Sequence, residues 1–398
     1  MSRHSIRVAA CLAILAWAGC RIDPDKPLGP ADSYMLFAPV AGKMDGALPV
    51  VRRLDIKDEA VQPLPWLLES TFAFEMVRTV YLAKQFVREA TVDGQHFSAA
   101  ARRNAAEPTC LVLGIERSPY GLGLALPKMF GGVQPHPGLP WIGLPANPAA
   151  DKALVQTLSG RLATFVAHFA ATGGALSARA APPPVLVEGY RIAMEVIARE
   201  WRVGSGPAGV VQEYDGSSAQ REIFANVREN RYVLEQDGAT VRPGRDLLAD
   251  PGVAATVIYR MAQSHTLAGR AAPDAFYAPF APNRLPPGVS PAAVLGTIRN
   301  FQAKFLGTWA TAVLRGQAPR DVIDLVEIYG AAFPAERAEA TRIFVVTTFG
   351  ATVKEGGVST RPQDTTRSMA ELTTLTAEVI AGKRSLRQVL AAPPPKRE

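Results

Sequence analysis

The chain has 398 residues and 48% hydrophobic content, so it can bury a large core, and its length alone allows two domains. The formal net charge of +7 is modest for this size and is spread without a dense Lys/Arg run. That pattern excludes nucleic acid as the expected partner. It leaves at most a diffuse attraction to anionic headgroups or acidic glycans.

Met1–Arg7 is basic through Arg3 and Arg7 and holds no acid. An apolar run from Val8 to Trp17 follows, then Ala18, Gly19 and Cys20. A basic start, about ten apolar residues and a small-residue end describe a secretory signal peptide. The run is too short to span a bilayer, which takes about 20 residues. Ala18-Gly19-Cys20 resembles the lipoprotein box of bacterial envelope proteins, with Trp17 where that box usually has Leu. The resemblance covers the first twenty residues only. It implies removal of residues 1–19, acylation of Cys20 and attachment to the membrane through that lipid. It also implies the outer membrane rather than the inner, because Arg21 stands where Asp is associated with inner-membrane retention. The competing cleavage after Ala18, at Ala16-Trp17-Ala18, stays open. Removing Arg3 and Arg7 with the signal brings the net charge to +5.

Cys11 leaves with the signal. With Cys20 acylated, Cys110 has no intramolecular disulfide partner; with the other cleavage the two could pair. The apolar run Thr109–Gly114 around Cys110 predicts a buried, inert thiol.

Residues 20–33, with Pro24, Pro27 and Pro30, read as a tether. Tyr34–Val40 and Leu48–Ile56, separated by Asp45-Gly46, read as a strand pair. From Pro65 the residues Phe72, Met76, Val80, Ala83 and Val87 form one stripe of a helix, with Glu75, Arg78, Gln85 and Glu89 opposite. Thr109–Glu116 and Leu122–Leu126 read as strands. Half of Gly131–Pro148 is Gly or Pro, which predicts a long loop.

The rest reads as helix. Leu154, Leu158, Leu162, Phe165 and Phe169 make a stripe stopped by Gly173-Gly174. Pro182–Arg202 follows, with Glu195 and Arg199 spaced to pair. Ser217 with Gln220 has capping-box spacing, and Asp237-Gly238 predicts a hairpin. Asp250-Pro251 opens a helix running to Gly269, and residues 271–287 form a second Pro-rich connection. Ser290-Pro291 opens another helix, with Phe301, Phe305 and Trp309 in its stripe. Helices over Pro319–Gly330 and Ala335–Phe349 follow, and Ser368 with Glu371 caps the last. Residues 391–398 read as a disordered tail. The expected fold class is mainly α (α+β), a multi-helix globular bundle with a few short strands or hairpins. Residues 34–390 form a single mainly helical domain, and residues 131–148 mark the place for any subdivision.

No local catalytic pattern emerges. H-E-x-x-H, C-x-x-C and Walker A runs are absent, Gly204-Ser205-Gly206 lacks a nucleophile elbow's outer glycine, and Gly121-Leu122-Gly123 leads into no dinucleotide fingerprint. No catalytic residue, metal or cofactor is therefore expected. Ser264 and His265 are adjacent on one helix and point apart, so His265 and His168 read as half-buried core residues. Asp321, Asp324 and Glu327 complement a helix dipole. The candidate binding residues sit in the two predicted loops: His136, Trp141, Tyr277 and Phe280. The expected function is a non-enzymatic envelope lipoprotein that binds a protein partner or small ligand at the membrane. The alternative is an envelope hydrolase whose residues meet only in the fold.

Overall fold

The structure is a computed structural model. It describes residues 34–55, 57–62, 64, 68, 72–115, 119–128, 132–148, 154–175, 182–200, 218–235, 240–280, 300–350, 352–354, 357–359 and 367–391. The signal, Cys20, the tether, the caps at Ser217 and Ser290-Pro291 and the tail at 392–398 lie outside the described residues.

The N-terminal part holds β1 (Tyr34–Asp45), β2 (Leu48–Arg53), α1 (Phe72–Glu89), α2 (Ala99–Ala106), β3 (Thr109–Leu113), β4 (Tyr120–Pro127) and β5 (Val133–Leu144). Helices then dominate: α3 (Leu154–Ala171), α4 (Pro184–Glu200), α5 (Ser218–Arg228), α6 (Gly244–Ala249), α7 (Pro251–Gln263), α8 (His265–Gly269) and α9 (Asp274–Tyr277). The chain continues through α10 (Asn300–Leu314), α11 (Val322–Ala332), α12 (Arg337–Thr348), the β6 (Thr352–Lys354) and β7 (Gly357–Ser359) pair, α13 (Met369–Ile380) and α14 (Leu386–Ala391). The fold is α+β and mainly helical.

The five long strands close into a barrel in the order β1-β2-β4-β5-β3. The β1–β2 and β4–β5 pairs are antiparallel; β1–β3, β3–β5 and β2–β4 are parallel. Alternation explains which side each residue takes. On β3, Cys110 and Val112 join Phe37, Val51, Leu124, Leu139 and Trp141 in one buried cluster. Leu111 and Leu113 join the larger core shared with the helices. Burial on both faces is why this strand reads as one unbroken apolar run.

Residues 131–148 overturn the loop expectation, because β5 occupies most of them. β5 meets β3 only from Cys110↔Trp141 to Leu113↔Leu144, so Pro135, Pro137 and Pro140 sit in the half with no described β3 partner. There a missing N–H breaks no ladder on that side. The β4–β5 register shifts between Leu122 and Leu124. Gly123, at φ 87°, makes that bulge, a conformation other residues adopt with strain.

Gly121 and Trp141 face each other in the register. The indole lies over the glycine so closely that a Cβ there would be 2.3 Å from the ring. Gly121→Ala is therefore expected to displace Trp141 and cost about 1–3 kcal/mol. Chemical unfolding checks this; a midpoint equal to wild type would show that the ring is not held against the backbone.

α1 carries the expected stripe, but its opposite side is covered too, and Thr79, Lys84 and Gln85 are buried. Gln85 Nε2 donates to the Phe280 carbonyl at 3.2 Å, and Thr91 N donates to Pro279 O at 3.0 Å. α3 runs along α4 and α1, and α4 lies on α7. The expected Glu195–Arg199 pairing gives way to another: Glu195 takes Arg191, and Arg199 lies 3.8 Å above the Phe224 ring.

The capping residues at Asp250 and Ser368 act as expected, and Asp321, read only as complementing a helix dipole, is a cap as well. Asp250 accepts from Gly252 N, Asp321 from Ile323 N and Asp324 N, and Ser368 with Glu371 forms a capping box. The helix from Pro251 does not run to Gly269. Ser264 is extended at ψ 120°, ends α7 and caps α8. His265 is consequently exposed, not half-buried. Leu234 and Val241 form a single antiparallel bridge where the hairpin was expected, and residues 236–239 between them lie outside the description.

Candidate functional site

The structure places the four candidate binding residues apart. His136 is half-buried on β5, opposite Leu124. Trp141, five residues on, is buried in the barrel cluster. Tyr277 and Phe280 belong to α9 and the turn after it, each 1% exposed. Phe280 packs 4.3 Å from Phe86 of α1, and Phe276 lies 4.9 Å from Phe333. This stretch is core and not an aromatic surface loop, and Trp141, Tyr277 and Phe280 are all buried. The cause is that α1 needed a cover for its second side.

Buried polar groups, which the sequence reading passed over, stand out instead. Lys84 of α1 is 3% exposed. Its Nζ donates to the Glu107 carbonyl and, at 3.0 Å, to Thr109 Oγ1, joining α1 to the entry of β3. Burial pushes this amine down to about 7, against small upward pulls from Cys110 and Glu107. Cys110 is a buried thiol, as expected.

His168, near the C-terminal end of α3, is a core residue as expected, but buried where half-burial was expected. Its Nδ1 pairs with the Tyr120 hydroxyl at the start of β4. Burial lowers the imidazole to about 4 and raises the Tyr120 hydroxyl.

Lys304 of α10 is fully buried. Its Nζ donates to Leu267 O at 2.6 Å, to Arg270 O at 2.7 Å and to both Glu336 oxygens at 2.7 and 2.8 Å. The Tyr329 hydroxyl donates to Glu336 Oε2 at 2.5 Å. Every donor on the ammonium is used, which marks a structural clamp between α10, α8 and the α11–α12 connection. Burial lowers Lys304, and Glu336 partly restores it.

These groups do not converge on a reactive centre. Ser264 Oγ donates to Glu339 at 3.0 Å, while the adjacent His265 faces solvent. His96 Nδ1 is tied to the Ala90 carbonyl at 3.0 Å. Asp321 and Asp324 hold Arg387 of α14, and Glu327 is exposed. Among the described residues no group of three His, Cys, Asp or Glu side chains is placed to hold a metal.

One recess between α3, α4 and α5 is lined by Gln156, Glu195, Val196, Gln220, Ile223 and Phe224. Its empty space of about 240 Å³ includes open solvent, so it is a surface recess and not an enclosed cavity. At the end of α4, Glu200 accepts from Tyr259 at 2.8 Å and from Gln263 at 3.0 Å, and pairs with Arg228 at 3.2 Å. The large apolar side chains exposed among the described residues are Met44 and Ile380. No described helix is long and apolar enough to cross a membrane.

Comparison with protein-family models, with curated proteins and with solved structures finds no match.

Proposed function

We propose that the protein is a lipoprotein of the bacterial envelope, held at the outer membrane by acyl chains on Cys20 and acting there without catalysis, by binding a protein partner or small ligand. The observation that carries this is the sequence Met1–Cys20, with its basic start, short apolar run and Ala18-Gly19-Cys20 end. Two features support it. Thirteen residues separate Cys20 from β1 and span at most about 45 Å, enough to stand a folded body off a bilayer. Ser264, His96 and His168 are engaged in structural hydrogen bonds and Cys110 is buried, which favours binding over the hydrolase alternative. We read the helical part as a bundle around α3 and α4, supported by their packing on α1, α7 and α10 around a shared core.

Mass spectrometry of the full chain expressed in a bacterium is expected to find diacylglyceryl on Cys20, and Cys20→Ala should move the protein out of the membrane fraction. An unmodified chain beginning at Gly19 would overturn the anchor. Crosslinking in intact envelopes then tests the binding role: the anchored protein should capture a partner that the Cys20→Ala form does not.

A further inference from the structure

The contact between Tyr120 and His168 joins β4 of the barrel to the end of α3 through a pair of polar rings. Tyr120 is the first residue of β4, and His168 lies in the last turn of α3. The two rings are 4.8 Å apart and inclined by 54°, with Phe165 edge-on to Tyr120 at 6.3 Å. His168 is 8% exposed, and its Nε2 has no hydrogen-bond partner. Among the described residues no carboxylate pairs with the ring. Among the described residues no charged side chain of α1, α4, α10 or the barrel bears on its titration, and Tyr120 is the titratable group facing it.

We propose that the Tyr120–His168 contact is an acid-released latch between the barrel and the helical body. With the imidazole neutral, the tyrosine hydroxyl donates to Nδ1 and the ring packs among aromatics. A second proton would place a full charge on a buried ring packed against Tyr120 with no anion to meet it, and would force the hydroxyl to turn from donor to acceptor. Buried charge without a partner is strongly disfavoured. Water reaches the imidazolium only if the start of β4 leaves the end of α3.

The direction follows from proton counting. The closed contact holds the imidazole near 4, and an open one lets it return to about 6.5. The open form therefore binds the extra proton first. The latch is intact above pH 6.5, weakens about tenfold per pH unit down to about pH 4, and then levels off. This does not depend on where the protein resides.

Hydrogen exchange of the full chain, corrected for intrinsic rates, tests it over residues 119–128 and 165–175. Protection should fall about fortyfold between pH 6.5 and 4.5 in wild type and stay flat in His168→Phe. Constant protection in wild type, or the same fall in His168→Phe, overturns the latch. Should His168→Phe not fold, NMR of histidine-labelled wild type decides. The expected result is that His168 stays neutral to below pH 5 and protonates together with the loss of β4 protection. An imidazole that titrates near 6.5 while protection stays constant overturns the proposal.

Discussion

Replacing Lys304 with Met is expected to lower the unfolding free energy by about 3–5 kcal/mol, because it strands the buried Glu336 carboxylate. Glu336→Leu should do comparable damage by stranding the ammonium. The double variant Lys304→Met with Glu336→Leu should lose less than either single change, since no buried charge remains. It will not reach wild type, because Leu267 O, Arg270 O and the Tyr329 hydroxyl each lose a partner. Urea midpoints for the four proteins complete the cycle. Additive losses, within about 0.5 kcal/mol, would mean that the two groups do not act as one clamp.

Lys84 yields the second large effect, and its sign is less intuitive. Folding holds this amine near 7, whereas the unfolded chain returns it to about 10.5. Between those values the unfolded state binds the proton and the folded state does not. Stability therefore rises with pH from about 7 to 10.5 and is level below 7, where both states carry the charge. The full span is at most about 5 kcal/mol. Lys84→Met should flatten this slope while keeping the α1–barrel packing. Its loss of the Thr109 and Glu107 bonds is partly relieved because Glu107 is exposed and its carbonyl can take water. Unfolding curves at pH 7 and pH 9.5 check it; equal slopes in wild type and variant would show that another group titrates.

The regular elements were legible because each had a periodic apolar pattern and a chemical stop. Ser368-x-x-Glu371, Asp250-Pro251 and Gly173-Gly174 act locally, so the residues alone fix those ends. β5 was hidden for the opposite reason. Three prolines argue for a loop when judged locally, and only the incomplete pairing with β3 makes them tolerable in a strand. The aromatics Tyr277 and Phe280 misled likewise, since their burial depends on a helix almost two hundred positions earlier in the chain. The break at Ser264 rests on a long-range partner, Glu339. Two buried amines did leave a trace. Lys304 is the only charged residue in α10, and Lys84 sits one turn from both Val80 and Val87. A lone charge in an apolar helix deserves a search for its partner, which here lies 32 positions away.

The prolines of β5 have a consequence for how such a protein behaves at high local density. A strand with one side unpaired is a template on which another chain can add, and crowding makes that encounter frequent. At Pro135, Pro137 and Pro140 no backbone donor exists for an incoming strand to use. Elsewhere the closed ring leaves no edge to copy. The same residues that disguise the strand thus keep neighbouring barrels from zipping together.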